Sequence, residues 1–234
     1  VDLILKDGEA CALVGESGSG KSTLSQILMG LLPPTSGDVL LDGKSLFSLS
    51  SREKKKKFTR MQMVLQDGKS ALDPRFTVHD SIAEPIRNLL DLSRQRETAI
   101  VEDLMRQMDL PHALLRRRAH ELSGGQQKRV CIARAIAVSP QILIFDEAVS
   151  GLDVIVRKSI LELLKRLQAE RGYTYLFITH DIDVALYIAD RIMVMKEGKI
   201  VENVLYTGDT GCFTHPYSRL LLSSLIPETG IQDI

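Results

Sequence analysis

Gly15-Glu16-Ser17-Gly18-Ser19-Gly20-Lys21-Ser22-Thr23 fits the pattern G-x-x-x-x-G-K-[ST]. Glycine carries no Cβ, so successive backbone N–H groups can turn inward around an anion that a side chain would keep away. In such a loop the lysine, here Lys21, reaches the β- and γ-phosphates of a nucleoside triphosphate, and the Ser22 hydroxyl is placed to ligate Mg²⁺. The flanks agree: Ala10-Cys11-Ala12-Leu13-Val14 reads as a short buried strand, and Leu24 to Met29 has helical spacing. A helix starting there points its partial positive charge at the phosphates. A glycine-rich turn with a stray lysine would look the same in isolation, so the rest of the chain decides.

At 234 residues there is room for one large α/β domain or two small ones. The apolar fraction of 44% and charged fraction of 26% are those of an ordinary globular protein. Thirty basic residues balance thirty acidic ones, which gives no sign of a nucleic-acid partner. No run reaches the ~18 apolar residues of a membrane span, and no signal peptide is visible. Cys11, Cys131 and Cys212 lie far apart without a C-x-x-C pair and are read as reduced thiols. Aromatics are sparse at 5%, and only 14 residues, starting at Val1, precede the loop. Any aromatic that stacks on the base is therefore expected upstream.

Further along, Val39-Leu40-Leu41 and Met61 to Leu65 read as strands, and Arg52 to Lys57 as the solvated face of a helix. From Val78 to about Leu115 the pattern is amphipathic and helical, with Ile82, Ile86, Leu89 and Leu90 on one face, then Ile100, Leu104, Met108 and Leu110. Gln141 to Phe145 is a buried strand, Val154 to Gln168 a long helix, and Tyr173 to Ile178 another buried strand. Asp183 to Asp190 is helical, and Arg191 to Met195 and Lys199 to Val201 form a hairpin around Lys196-Glu197-Gly198. Alternating strands and helices call for a mainly parallel sheet covered by helices.

Phe145-Asp146-Glu147 ends an apolar strand as a Walker B segment does. Asp146 is placed to hold Mg²⁺ opposite Ser22, and Glu147 to polarise the water that attacks the γ-phosphate. Two acids where a strand meets solvent are a common accident, but here they follow Lys21 by 125 residues. Leu122-Ser123-Gly124-Gly125-Gln126 then makes a helix N-terminus with a hydroxyl donor, more than an ordinary cap requires. Gln126 stands 20 residues before Asp146, and at that place Leu-Ser-Gly-Gly-Gln resembles the signature motif of ATP-binding-cassette (ABC) ATPases. Gln66 resembles the Q-loop glutamine, Ser150-Gly151-Leu152-Asp153 the D-loop, and His180 the switch histidine that contacts the γ-phosphate.

The resemblance implies an α/β fold with a P-loop NTPase (RecA-like) core, an antiparallel β portion and an inserted helical subdomain. The expected division is a core over 1–68 and 140–205, a helical signature subdomain over 69–139, and a C-terminal extension over 206–234. It also implies ATP and Mg²⁺ as cofactors, and two cassettes meeting head to tail. Gly15, Ser17, Gly18, Gly20, Lys21, Ser22 and Thr23 would bind ATP. Asp146, Ser22 and Gln66 would hold the metal, while Glu147, His180 and Gln66 would be catalytic. Ser123 and Gly125 would serve the ATP bound by the partner, Gln126 and Asp153 would also bind nucleotide, and the D-loop that holds Asp153 would cross to the partner.

Lys21 and Ser123 are 102 residues apart, too close for the coiled coil of repair ATPases, and a single cassette without membrane helices favours an importer, with separate-subunit exporters left open. His215-Pro216-Tyr217-Ser218-Arg219-Leu220-Leu221 resembles a motif in the C-terminal extension of peptide- and nickel-importer ATPases. Asp146-Glu147-Ala148-Val149-Ser150 looks closest to the second ATPase subunit of nickel importers, with dipeptide and oligopeptide importers next. Leu72-Asp73-Pro74-Arg75 departs from the Asn-Pro-Arg common in the subfamily. Cys212 and His215 are too few to make a metal site. The partners so implied are a second ATPase chain, in a heterodimer rather than a homodimer, two membrane permeases docking near Gln66 and residues 70–90, and indirectly an extracytoplasmic binding protein. The implied location is peripheral, on the cytoplasmic face of the membrane.

Overall fold

The apolar run Ala10–Val14 forms β1 and is buried along its whole length, because parallel strands flank it on both sides. The structure, a computed structural model, describes residues 1–65 and 71–223. Its main sheet has six strands in the order β4 (Met61–Val64), β5 (Ile142–Asp146), β6 (Thr174–Thr179), β1, β7 (Arg191–Lys196) and β8 (Lys199–Leu205). Every pairing is parallel except β7 with β8, which are joined by a tight turn. Glu197 and Gly198 in that turn both have positive φ, 47° and 76°, as the turns matching the right-handed strand twist require. A second small hairpin, β2 (Leu40–Leu41) with β3 (Lys44–Ser45), turns at Asp42-Gly43.

Side chains alternate across the central strands, so each strand feeds two apolar layers. Cys11, Leu13, Ile144, Leu176, Ile178 and Met193 face a layer with Leu24 and Leu28 of α1 (Lys21–Leu28) and Phe58 of α2 (Ser51–Arg60). Ala10, Ala12, Val14, Phe145, Tyr175 and Phe177 face the opposite, larger layer. There lie α3 (Val78–Leu89), α4 (Arg94–Gln107), α5 (Gly124–Ile136), α6 (Val154–Arg171) and α7 (Ile182–Ile188). The last described element is α8 (Pro216–Ser223), whose Tyr217 joins this second layer.

Each helix start carries a side-chain acceptor where the sequence offers one. Ser50, Thr77, Ser93 and Asp153 accept backbone N–H groups at the starts of α2, α3, α4 and α6. The amphipathic stretch from Val78 is two helices interrupted at Leu90–Ser93, followed by 3₁₀ turns at His112–Arg116 and Ala119–Glu121. Ile82, Ile86, Leu104, Met108 and Leu110 are buried as expected, whereas Leu89, Leu90 and Ile100 are half-buried.

The basic run of α2 needs a correction. Lys54, Lys55 and Lys56 are exposed, but Lys57 is only 5% exposed, and its Nζ donates to the Met29 carbonyl just past α1. Four consecutive helical positions sweep most of a turn, so a solvated face cannot hold all four. Lys57 takes the inward position and ties the end of α1 to α2, its ammonium also lying 4.2 Å from the Phe58 ring centre.

Candidate functional site

Parallel pairing brings the ends of β1, β6 and β5 to one edge of the sheet. Val14 is level with Thr179, and Asp146 with Ile178. The loop after β1 and the residues after β5 and β6 therefore emerge side by side.

Gly15 is buried where a Cβ would stand 2.2 Å from the Met195 carbonyl oxygen, so no other residue fits. Gly18 and Gly20 have φ of 84° and 104°, a region that glycine alone enters without strain. Gly20 caps α1 without any side-chain acceptor, so the first N–H groups of the helix stay free for an anion. Ser17, Gly18, Ser22 and Thr23 line the exposed side of the loop, while Ser19 is buried. Lys21 is buried and folds back over the loop, its Nζ 2.7 Å from the Gly15 oxygen and 2.8 Å from the Glu16 oxygen. Burial lowers its pKa, against the pull of Glu147, Asp146 and Glu16. The ammonium is thus held by carbonyls at the floor of an anion cradle.

Asp146 is 8% exposed and accepts from Ser25 Oγ at 2.7 Å. Burial raises its pKa and Glu147 adds to this, whereas the Ser25 and Ser22 hydroxyls and the Lys21 charge work the other way. Its other oxygen, Oδ1, is buried and accepts no hydrogen bond. An orphaned carboxylate oxygen beside a serine hydroxyl and a phosphate cradle suits a hard, oxygen-seeking cation such as Mg²⁺. Among the described residues no group of three His, Cys, Asp or Glu could hold a metal. The remaining ligands would therefore be hydroxyl, phosphate and water oxygens, as in a P-loop site.

Glu147 has a left-handed backbone, φ 51°, fixed by its N–H donating to the Ile178 oxygen at 2.8 Å. Its Oε1 accepts from the His180 backbone N–H at 3.0 Å and meets His180 Nδ1 at 2.9 Å, while Ser150 Oγ donates to Oε2. His180 is therefore paired with the neighbouring acid, its ring exposed at the strand edge.

Ser123 and Gln126 form a reciprocal capping box at the start of α5, and their hydrogen bonds close within it. A Cβ on Gly125 would lie 2.8 Å from Val156 Cγ1, so this glycine lets the turn pack against the start of α6. Asp153 caps α6 through the Val156 N–H at 2.9 Å, and Arg157 pairs with Asp181, the residue after His180.

The structure thus gathers the loop, Asp146, Glu147 and His180, and brings Ser123, Gly125, Gln126 and Asp153 together at the starts of α5 and α6. Gln66 lies outside the described residues. Three contributors escaped the sequence reading. Ser25 holds Asp146, and its spacing of three from Ser22 on a helix was the available signal. Ser19 and Lys128 gave none: Ser19 accepts the Gly198 N–H, and Lys128 Nζ donates to the Leu65 carbonyl.

Comparison with known proteins places these features in context. Residues 1–150 match the family model described as ABC transporter. The nickel import ATP-binding protein NikE of Escherichia coli O157:H7 is 44% identical over 97% of this chain and 84% of its own. NikE of E. coli K12 is 43% identical with the same coverage. Among solved structures, a dimeric ATP-binding cassette in a post-hydrolysis state with ADP and Pi superposes with a TM-score of 0.80 and 32% identity. That match covers 89% of this chain and 90% of the other. The cassette cbiO1 of Clostridium perfringens, part of the transporter complex cbiONQ, gives 0.78 and 33%, with 87% and 79% covered.

Proposed function

Because the chain belongs to the ABC transporter family and is an ATPase of that kind, we propose that it powers uptake of nickel, or a nickel complex, through partner membrane subunits. The observation that carries this reading is the 44% identity to a nickel import ATP-binding protein along 97% of the chain. The dipeptide and oligopeptide branch remains the alternative against which the cargo is tested, because His215–Leu221 resembles a motif common to both.

In the proposed reaction Gly15, Ser17, Gly18, Gly20, Lys21, Ser22 and Thr23 hold the triphosphate of ATP. Asp146 and Ser22, with Gln66, hold Mg²⁺, which when bound offsets the charge of the β- and γ-phosphates. Glu147 takes the proton of the attacking water as its oxygen bonds to the γ-phosphorus and the bond to the β–γ bridging oxygen breaks. His180 orients the Glu147 carboxylate and contacts the γ-phosphate. Since phosphoryl transfer is catalysed mainly by positioning and charge stabilisation, small displacements of these groups switch turnover on and off.

Ser123, Gly125, Gln126 and Asp153 complete the site of a second ATPase chain, a different polypeptide rather than a second copy. Two permeases dock near Gln66 and residues 70–90, and an extracytoplasmic binding protein delivers the cargo. Among the described residues no helix is long and apolar enough to cross a membrane, consistent with a peripheral place on the cytoplasmic face. The test is uptake in a strain deleted for the gene. Loss of labelled nickel uptake with dipeptide uptake intact is the expected result. The reverse pattern moves the chain to the peptide branch, and no change in either overturns the importer assignment.

A further inference from the structure

The stretch His215–Leu221 touches the phosphate loop. Tyr217 is 6% exposed, and its hydroxyl oxygen accepts the backbone N–H of Glu16 at 3.0 Å, across 201 positions of sequence. That N–H belongs to the Gly15–Glu16 peptide, whose carbonyl is the Gly15 oxygen bonded by Lys21 Nζ at 2.7 Å. One peptide unit is therefore gripped on both sides, by a phenol on its N–H and by the loop lysine on its C=O. Hydrogen bonds in line through a peptide polarise one another, so the tyrosine strengthens the lysine's hold and fixes the plane on which it rests.

The rest of the stretch brings Tyr217 to that point. Glu202 of β8 accepts the backbone N–H groups of Thr214 at 2.6 Å and His215 at 2.9 Å, and the Thr214 hydroxyl at 3.0 Å. Its carboxylate thus sits at the N-terminal, partially positive end of α8. His215 Nδ1 accepts the Tyr217 N–H at 3.2 Å, and Pro216 occupies the first helical position, where no N–H is needed. Ser218 is fully buried, and Arg219 Nε donates to the Phe213 carbonyl. The Lys196 ammonium lies 5.0 Å from the Tyr217 ring centre, on the same strand that stops any side chain at Gly15.

We propose that Tyr217 is a positioning residue for ATP binding: the C-terminal extension, anchored by Glu202, latches the Gly15–Glu16 peptide and through it sets Lys21. The inference rests on the ATPase reading and adds to it the purpose of a segment remote from the cassette motifs. A latch of this kind gives the extension a direct route to nucleotide affinity. Detaching α8 from β8 would loosen the phosphate loop without touching any group that meets ATP.

Binding of a fluorescent ATP analogue to the full chain tests this in a double-mutant cycle. Tyr217→Phe, which keeps the ring and removes only the hydroxyl, should weaken binding about threefold to tenfold, the range of one neutral hydrogen bond. On a Lys21→Ala background the same change should cost less than about twofold, because the group through which it acts is gone. Unchanged affinity in Tyr217→Phe, or an equal loss on both backgrounds, overturns the proposal. Glu202→Gln, which weakens the anchor and leaves the tyrosine in place, should lower affinity in the same Lys21-dependent way; it stands in if Tyr217→Phe folds poorly. Failure of the unmodified chain to bind the analogue would instead sink the ATPase reading beneath it.

Discussion

Glu147 holds an unfavourable backbone for the sake of its carboxylate. A non-glycine residue at φ 51° costs about 1 kcal/mol or more, and it persists because Ile178, Ser150 and His180 bind its N–H and both carboxylate oxygens. The acid is thereby fixed at the strand edge beside Lys21 and Asp146. Glu147→Gln preserves the shape and the acceptor for His180 but removes the base. It should retain ATP binding while turnover falls about 100-fold or more, the range of a lost general base. Substantial steady-state hydrolysis by that variant, measured as phosphate release, would refute the assignment. At this scale the meeting of the loop with the two acids was legible, because an apolar strand ending in Asp146-Glu147 was expected opposite Lys21 and Ser22. Ser25 was not. Its role depends on which side of α1 turns toward β5, and only the packed structure settles that.

Single elements carry their own prediction in the docking of α8. Burial opposes ionisation of Glu202, but donors on Ser218, His215 and Thr214 outweigh it and bring its pKa down from 4.5 to about 2. The Ser218 hydroxyl lies near the carboxylate without a hydrogen bond of ordinary geometry, so the two N–H groups and the Thr214 hydroxyl are the firmer contributors. A carboxyl whose folded pKa is depressed stabilises the fold fully above its unfolded value and loses that contribution as pH falls through the folded one. The docking of α8 on β8 should therefore hold at pH 4.5 and fail as pH approaches 2. The Thr214 and His215 amide resonances would report it, and Glu202→Gln would abolish the transition. A midpoint near 4.5, the ordinary carboxyl value, would show that the carboxylate makes no such contribution. Elements were the most legible level, since β1, β5 and β6 are apolar runs and α3 and α4 keep helical spacing. Lys57 was misjudged because a run of like charges hides which member the helix turns inward.

Across the whole molecule, residues far apart in sequence are set side by side by strand order. β1 lies between β6 and β7, so Gly15 packs against the Met195 carbonyl and the loop after Val14 emerges level with Thr179, just before His180, with β5 and its acids one strand further on. No local pattern announces that order. It follows from covering both faces of a parallel sheet with the intervening helices, which is also why the contact of Tyr217 with Glu16 could not be read in advance. The same layout pairs the Ser123 and Gln126 side chains with each other's backbone N–H in a reciprocal cap, and among the described residues neither hydrogen-bonds this chain's own loop. If each ATP lies between one chain's phosphate loop and another chain's signature turn, a single copy holds two half-sites and no whole one. The isolated chain should then bind ATP yet hydrolyse it slowly. Its specific activity should rise when the second ATPase chain is added, and more weakly with its own concentration if copies can substitute for that partner. Ser123→Arg, on the exposed turn, should abolish the stimulation while leaving nucleotide binding by the same chain intact, because its own loop is untouched. A high specific activity that stays flat from nanomolar to micromolar chain, with no response to the partner, would mean that one copy closes its own site.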